Sequence, residues 1–84
     1  MKHRAAPEFW RLFDQLPARI QNQARRDYDL LKENPRHPSL DLKQIDRFWS
    51  VRVGRRHRAL GVSIEEGVLW FWIGSHAEYD RLVG

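Results

Sequence analysis

Four side chains have the types and spacing for chemistry on a phosphodiester. His76 and Tyr79 stand three residues apart, just after the last apolar run, and Arg52 and Arg58 lie inside two segments that read as strands. Histidine exchanges protons near neutral pH, which makes His76 the candidate for proton transfer. Tyr79 offers a second proton or a ring on which a base can stack. Cleaving RNA without a metal takes a base for the 2′-hydroxyl, an acid for the departing 5′-oxygen and cations around the crowded phosphorus. His76, Tyr79, Arg52 and Arg58 are the candidate catalytic set. A lone His and Tyr after a strand are more often structural residues, so the pattern needs support from its surroundings.

The surroundings are basic. The formal charge is +4, the pI is about 10.1, and the chain has 12 Arg against 3 Lys. Arginine grips phosphate with two parallel hydrogen bonds and stacks on bases, so the bias points to a polyanionic partner. Between Lys43 and Arg58 there are 6 cations and 1 acid, Asp46. Lys43, Arg47, Arg55, Arg56 and Trp72 are therefore the candidate RNA-binding residues. For Arg47, Arg55 and Arg56, simple exposure in turns is the better account. The 4 His show no close metal-ligand spacing and Cys is absent, so no metal site and no cofactor is expected. There is no Gly-rich phosphate loop, and Ser75 has no nucleophile setting.

These residues need a frame. The 84 residues make one domain, 1–84. Residues 1–6 read as a loose start, with His3 and Arg4 a solvated tail. Pro7-Glu8 suits a first helical turn, and Phe9, Leu12, Phe13 and Leu16 follow the helical spacing. Pro17 breaks that helix and opens a second, from about Ala18 to Glu33, stopped by Asn34-Pro35. Residues 40–45 are a short candidate strand. Phe48–Val53, about His57–Ile64 and Val68–Gly74 follow as three strands. Glu65-Glu66-Gly67 is expected to be a three-residue turn with Gly67 in a left-handed conformation.

Turn length sets register, and register sets the faces. Three-residue turns at both hairpins place Trp49, Val51, Val53, Ala59, Gly61, Leu69, Phe71 and Ile73 on a face toward the helices. Ser50, Arg52, Arg58, Leu60, Trp70 and Trp72 fall on the other face, with His76 next in the same parity. His57 joins Arg52 if the first turn has two residues, and otherwise faces the helices. The expected fold is α+β: an N-terminal helical hairpin on a small twisted antiparallel sheet of three to four strands, one face left open.

The helical hairpin with Leu16-Pro17 between its helices, the stretch Glu33-Asn34-Pro35 through Leu40, the hairpin from Trp49 through Gly54 to Leu60, and the ending Trp70–Tyr79 together resemble the RelE/ParE superfamily, the toxins of type II toxin–antitoxin systems. The resemblance runs along nearly the whole chain. It implies a partner antitoxin that wraps and neutralises the toxin. It also implies one of two activities: metal-independent cleavage of mRNA in the ribosomal A site, as in RelE-like members, or inhibition of DNA gyrase, as in ParE-like members. An inactive antitoxin-binding member is a third outcome. In RelE-like enzymes strand cations and a C-terminal His, Arg or Tyr carry the reaction, and Arg52, Arg58, His76 and Tyr79 occupy the matching positions. The chain departs from that pattern in lacking a lysine-rich second strand, and with so few residues after Tyr79 no C-terminal helix is expected. The first reading is thus a ribosome-dependent endoribonuclease of the cytoplasm. Without a leader-like N-terminus or an apolar run long enough to span a bilayer, no membrane partner is expected.

Overall fold

Strand β5, Gly67–Ser75, is the spine of the molecule. In the computed structural model, which describes residues 2–84, it is the longest strand and has a neighbour on each side. The other elements are β1 (Lys2–Ala5), α1 (Pro7–Phe13), α2 (Ala18–Glu33), a single 3-10 turn (Pro38–Leu40), β2 (Lys43–Ile45), β3 (Phe48–Val53), β4 (His57–Ile64) and α3 (His76–Val83). The sheet has 5 strands in the order β1-β5-β4-β3-β2. All neighbours are antiparallel except β1, which runs parallel to β5. The α+β class and the helical hairpin on a sheet are as the sequence leads one to expect; the strand count is one higher.

The extra strand is the supposed tail. Lys2 N–H donates to the Glu66 carbonyl and Ala6 N–H to the Trp70 carbonyl, both at 2.9 Å. His3 lies against Trp70, rings 6.1 Å apart and nearly parallel, and accepts the indole N–H at 3.1 Å. Burial and the Lys32 charge hold His3 below its ordinary pKa. Three polar residues and one alanine carry no alternating hydrophobic pattern, so nothing local marks this strand; the open edge of β5 does. Gly67 answers to the same neighbour. It does not have a positive φ; a Cβ there would run into the Lys2 backbone. Gly54, with φ 60°, is the left-handed glycine, in the turn between β3 and β4.

The helical hairpin closes on one side chain. Gln21 Nε2 donates to the carbonyls of Phe13 and Leu16 at 3.0 and 3.1 Å, tying the first turns of α2 to the end of α1 and to the link between the two helices. A second tie runs from α2 to the sheet: Asp27 accepts the Gly54 N–H at 2.9 Å. Between helices and sheet, Phe13, Leu31, Val51, Val53, Ala59 and Ile73 are buried in the core with Trp70. Each fully buried aliphatic or Phe side chain contributes about 1.5–3 kcal/mol.

Register is where structure and sequence part. The first hairpin has the three-residue turn 54–56, pairing Arg52 with Arg58 and leaving His57 toward the helices. The second turn has two residues, Glu65-Glu66, and pairs Ile64 with Gly67. A bulge opposite Leu60/Gly61 then absorbs one residue of β5, so Leu60 still meets Trp72 and Arg58 still meets Gly74. The bulge reverses parity below it. Trp70 turns into the helix-side core, whereas Leu69 and Phe71 go to the opposite face, Phe71 against Phe48 at 5.8 Å. The three-residue expectation therefore misplaced these three side chains and left Arg58, Trp72 and His76 correctly grouped.

The second face is not open. Helix α3 folds back over β4 and β5. Ser75 is its N-cap: the Ser75 hydroxyl accepts the Glu78 N–H at 3.1 Å, and the Glu78 carboxylate takes the Ser75 N–H at 3.0 Å. This reciprocal capping box starts the helix that the sequence reading did not expect. No helix among the described residues is long and apolar enough to cross a membrane.

Candidate active site

Under α3 lies a polar chain. Arg58 is 1% exposed, and its Nε donates to Ser50 Oγ at 2.8 Å. Its Nη1 reaches Asp41 Oδ2 at 3.2 Å and its Nη2 the Asp41 carbonyl at 2.9 Å. Ser50 Oγ in turn donates to the Tyr79 hydroxyl at 2.9 Å. The Tyr79 ring covers the guanidinium, with its centroid 5.1 Å from Cζ. A buried cation survives only if its charge and donors are met, and here a carboxylate, a carbonyl, a hydroxyl and a ring face meet them. Arg58 and Tyr79, expected at the reacting phosphate, are both buried, so in this conformation neither touches solvent-borne substrate. They hold α3 and the 3-10 turn against the sheet.

His76 stands at the surface above this chain. Its backbone N–H donates to the Arg56 carbonyl at 2.6 Å, fixing the start of α3 beside the β3–β4 turn. Its Nδ1 lies 3.1 Å from Asp80 Oδ2, one helical turn on. An ionised carboxylate only accepts, so the pair places the proton on Nδ1 and leaves Nε2 as the basic nitrogen. The imidazole lies 5.7 Å from the Tyr79 ring, which groups His76 with Tyr79 and Arg58 on one face.

The remaining cations ring this point. Arg52 is exposed, pairs in register with Arg58, and reaches Asp41 Oδ2 at 4.0 Å. Lys43, across from Ser50 on β2, reaches the same oxygen at 3.6 Å. Burial works to raise the Asp41 pKa, but Lys43, Arg58 and Arg52 outweigh it and hold the carboxyl below its ordinary value. Arg55 and Arg56 are exposed in the β3–β4 turn beside His76. Arg47 sits in the β2–β3 turn with its guanidinium over Phe48 at 5.4 Å, on the same face but beyond the polar chain. Trp72 is half-buried next to Leu60, its ring lying where a Cβ on Gly74 would be, so glycine makes room for it.

Sequence reasoning missed Asp41, Asp80 and the role of Ser50. Asp80 was findable, since it stands four residues after His76 on a segment with a capping signal. Asp41 carries no such mark; it is in reach only because its backbone adopts φ 43° at the end of the 3-10 turn.

Comparison with known proteins agrees with this architecture. Three solved structures share the fold at low identity. The RelB–RelE antitoxin–toxin complex from Methanococcus jannaschii matches with TM-score 0.71 and 14% identity, over 96% of this chain and 99% of that one. A copper-bound mutant toxin from Helicobacter pylori gives 0.65 and 16%, over 93% and 97%. The isolated E. coli RelE toxin gives 0.62 and 13%, over 95% and 93%. No curated protein sequence matches the chain. The model of the ParE-like toxin domain matches residues 18–81, from the start of α2 through the candidate site to α3. The chain therefore belongs to the ParE-like toxins of the RelE/ParE superfamily.

Proposed function

We propose that this toxin is a ribosome-dependent endoribonuclease that cuts mRNA in the A site and is neutralised by a cognate antitoxin. One observation carries the reading: His76, oriented by Asp80 with Nε2 free, stands at the rim of a face carrying Lys43, Arg52, Arg55 and Arg56. His76 Nε2 takes the 2′-hydroxyl proton. The 2′-oxygen attacks the adjacent phosphorus and the 5′-oxygen departs with a proton from a water molecule, whose hydroxide takes back the proton held on His76, leaving a 2′,3′-cyclic phosphate and a 5′-hydroxyl. The exposed cations stabilise the extra negative charge, and the ribosome holds the message in line. Tyr79 acts as a positioning residue, and the Arg58 bonds to Ser50 Oγ and the Asp41 carbonyl act with it, fixing α3 and the 3-10 turn and hence His76. The antitoxin partner follows from the family and from the M. jannaschii relative, solved as an antitoxin–toxin complex.

The test is cleavage of mRNA on programmed ribosomes by wild type and His76→Ala. Cutting by wild type and at least a hundredfold slower cutting by the variant, the size of a lost general base, is the expected result. A second reading, binding and inhibition of DNA gyrase, is favoured by the match to the ParE-like model and by the burial of Arg58 and Tyr79. No cutting together with loss of gyrase supercoiling that His76→Ala leaves intact decides for it.

A further inference from the structure

Three strands send a cation to one oxygen atom. Asp41 Oδ2 lies 3.2 Å from Arg58 Nη1 on β4, 3.6 Å from Lys43 Nζ on β2 and 4.0 Å from Arg52 Nη2 on β3. Arg52 and Arg58 are direct cross-strand partners, an arrangement of like charges that is unfavourable unless an anion lies between them. The Asp41 carboxylate is that anion. We propose that it is a resident stand-in for an RNA phosphodiester, and that the phosphate enters by displacing it from Lys43, Arg52 and Arg58 Nη1. The proposal rests on reading this face as an RNA surface, and it names where the phosphate sits.

The site is built for exchange. Arg58 is 1% exposed while the Asp41 side chain is 41% exposed, so the group shielding Nη1 from solvent is itself at the surface. It borders an open cleft lined by Arg36, His37, Lys43 and Trp49, along which a strand of nucleic acid has room to run. The Asp41 backbone is held separately. With φ 43° after the 3-10 turn, its carbonyl accepts Arg58 Nη2 at 2.9 Å whatever the carboxylate does. When the carboxylate rotates out, Arg58 keeps this bond and the one to Ser50 Oγ, and Nη1 alone is released. A buried guanidinium without an anion is costly, so the site does not stand empty: it holds either Asp41 or the incoming phosphate. Each carries one negative charge, so the exchange is neutral. The phosphate gains because two non-bridging oxygens, rather than one carboxylate oxygen, face three cations.

The experiment compares Asp41→Asn with Asp46→Asn, without ribosomes. Both positions have positive φ, 43° and 54°, which Asn tolerates, and both changes add the same net charge. The probe is a ten-nucleotide uridine RNA, with inorganic phosphate as a second ligand. Asp41→Asn is expected to bind the RNA about fivefold tighter than wild type, the effect of removing one partly exposed competing ion pair. Asp46→Asn is expected to gain less than about twofold. Equal gains in the two variants, or no gain in Asp41→Asn, overturn the proposal. Should Asp41→Asn not fold, wild type decides. Phosphate titrated into labelled protein must move the Arg58 Nε and Asp41 amide resonances with one midpoint, and movement confined to Arg55 and Arg56 overturns the proposal. So does a ten-residue oligoglutamate that displaces Asp41 where the RNA does not. Neither readout involves cleavage, so an exchange that occurs in a protein that fails to cut message removes the enzyme reading and leaves the phosphate site.

Discussion

The Tyr79 ring closes the Arg58 guanidinium off from solvent, its centroid 5.1 Å from Cζ, while its hydroxyl takes the proton of Ser50, whose oxygen takes that of Arg58 Nε. One aromatic side chain thus joins α3 to both central hairpin strands by its face and its edge. Tyr79→Phe keeps the ring and strands the Ser50 hydroxyl proton. Urea unfolding should show a loss of about 1–2 kcal/mol, and ribosomal cleavage should fall no more than about tenfold. A loss of a hundredfold or more in a fully folded Tyr79→Phe protein would mean that the hydroxyl takes part in the proton transfer.

Arg58 is not replaceable by lysine. A single ammonium cannot reach Ser50 Oγ, Asp41 Oδ2 and the Asp41 carbonyl from one stem in the directions the guanidinium fork uses. Arg58→Lys should cost about 2–4 kcal/mol by chemical denaturation. Combined with Asp41→Asn, the two changes should be non-additive by about 1–3 kcal/mol, as for residues sharing one network. Additive losses would show that Asp41 and Arg58 are neighbours without being partners.

The exposed cations behave differently. Arg52 and Lys43 lie at the surface and anchor no core group. Arg52→Gln and Lys43→Gln should change stability by no more than about 0.5 kcal/mol. Each should lower RNA affinity and flatten its salt dependence by about 0.7 per lost phosphate contact. An unchanged salt slope in both would move the RNA path to Arg55 and Arg56.

How much of this is legible in the sequence depends on how local each feature is. Helices α1 and α2 announce themselves by spacing and by Pro7, Pro17 and Pro35, and α2 begins and ends where those signals put it, whereas α3 was not expected. The pairing of Arg58 with Gly74 was also legible, although through two compensating differences, a shorter turn and a bulge. Trp70 shows why that matters: its neighbours in sequence are apolar on both sides, so hydrophobicity alone does not say which way it points. β1 was not legible because its reason to be a strand is the distant edge of β5. The buried state of Arg58 was equally hidden, since the groups that meet its charge come from residues 41, 50 and 79.

Two histidines make stability depend on pH. His57 faces the helix side with Nδ1 buried and without a hydrogen-bond partner among the described residues, and burial plus the Arg19 charge lower its pKa despite the opposing pull of Glu78. His3 is lowered by burial against Trp70 and by Lys32. A group with a lowered folded pKa is protonated first in the unfolded chain. The stability it confers is complete above the ordinary value of 6.5 and is lost as pH falls from there toward the folded value. Unfolding free energy should therefore decline between about pH 7.5 and 5.5. His57→Gln should reduce that slope and His3→Gln should reduce it further. A flat profile in wild type would show that both rings stay as accessible to protons as in the unfolded chain.

Ser75 ties the capping of α3 to the candidate chemistry. Its hydroxyl caps the helix through the Glu78 N–H, and the Ser75 and Glu78 pair, with two hydrogen bonds from Ser75, holds the Glu78 carboxyl below its ordinary pKa. Ser75→Ala should cost about 1 kcal/mol in overall stability. Its effect on α3 should be larger than its effect on the sheet, because α3 is short and meets the sheet mainly through Tyr79. Amide exchange in 76–83 should accelerate about fivefold while β4 and β5 shift only by the global loss. If His76 depends on α3 for its place, cleavage should fall together with α3 protection in Ser75→Ala, and Ser75→Asp, which restores the cap, should recover both. Recovery of protection without recovery of cleavage would show that Ser75 itself touches the message.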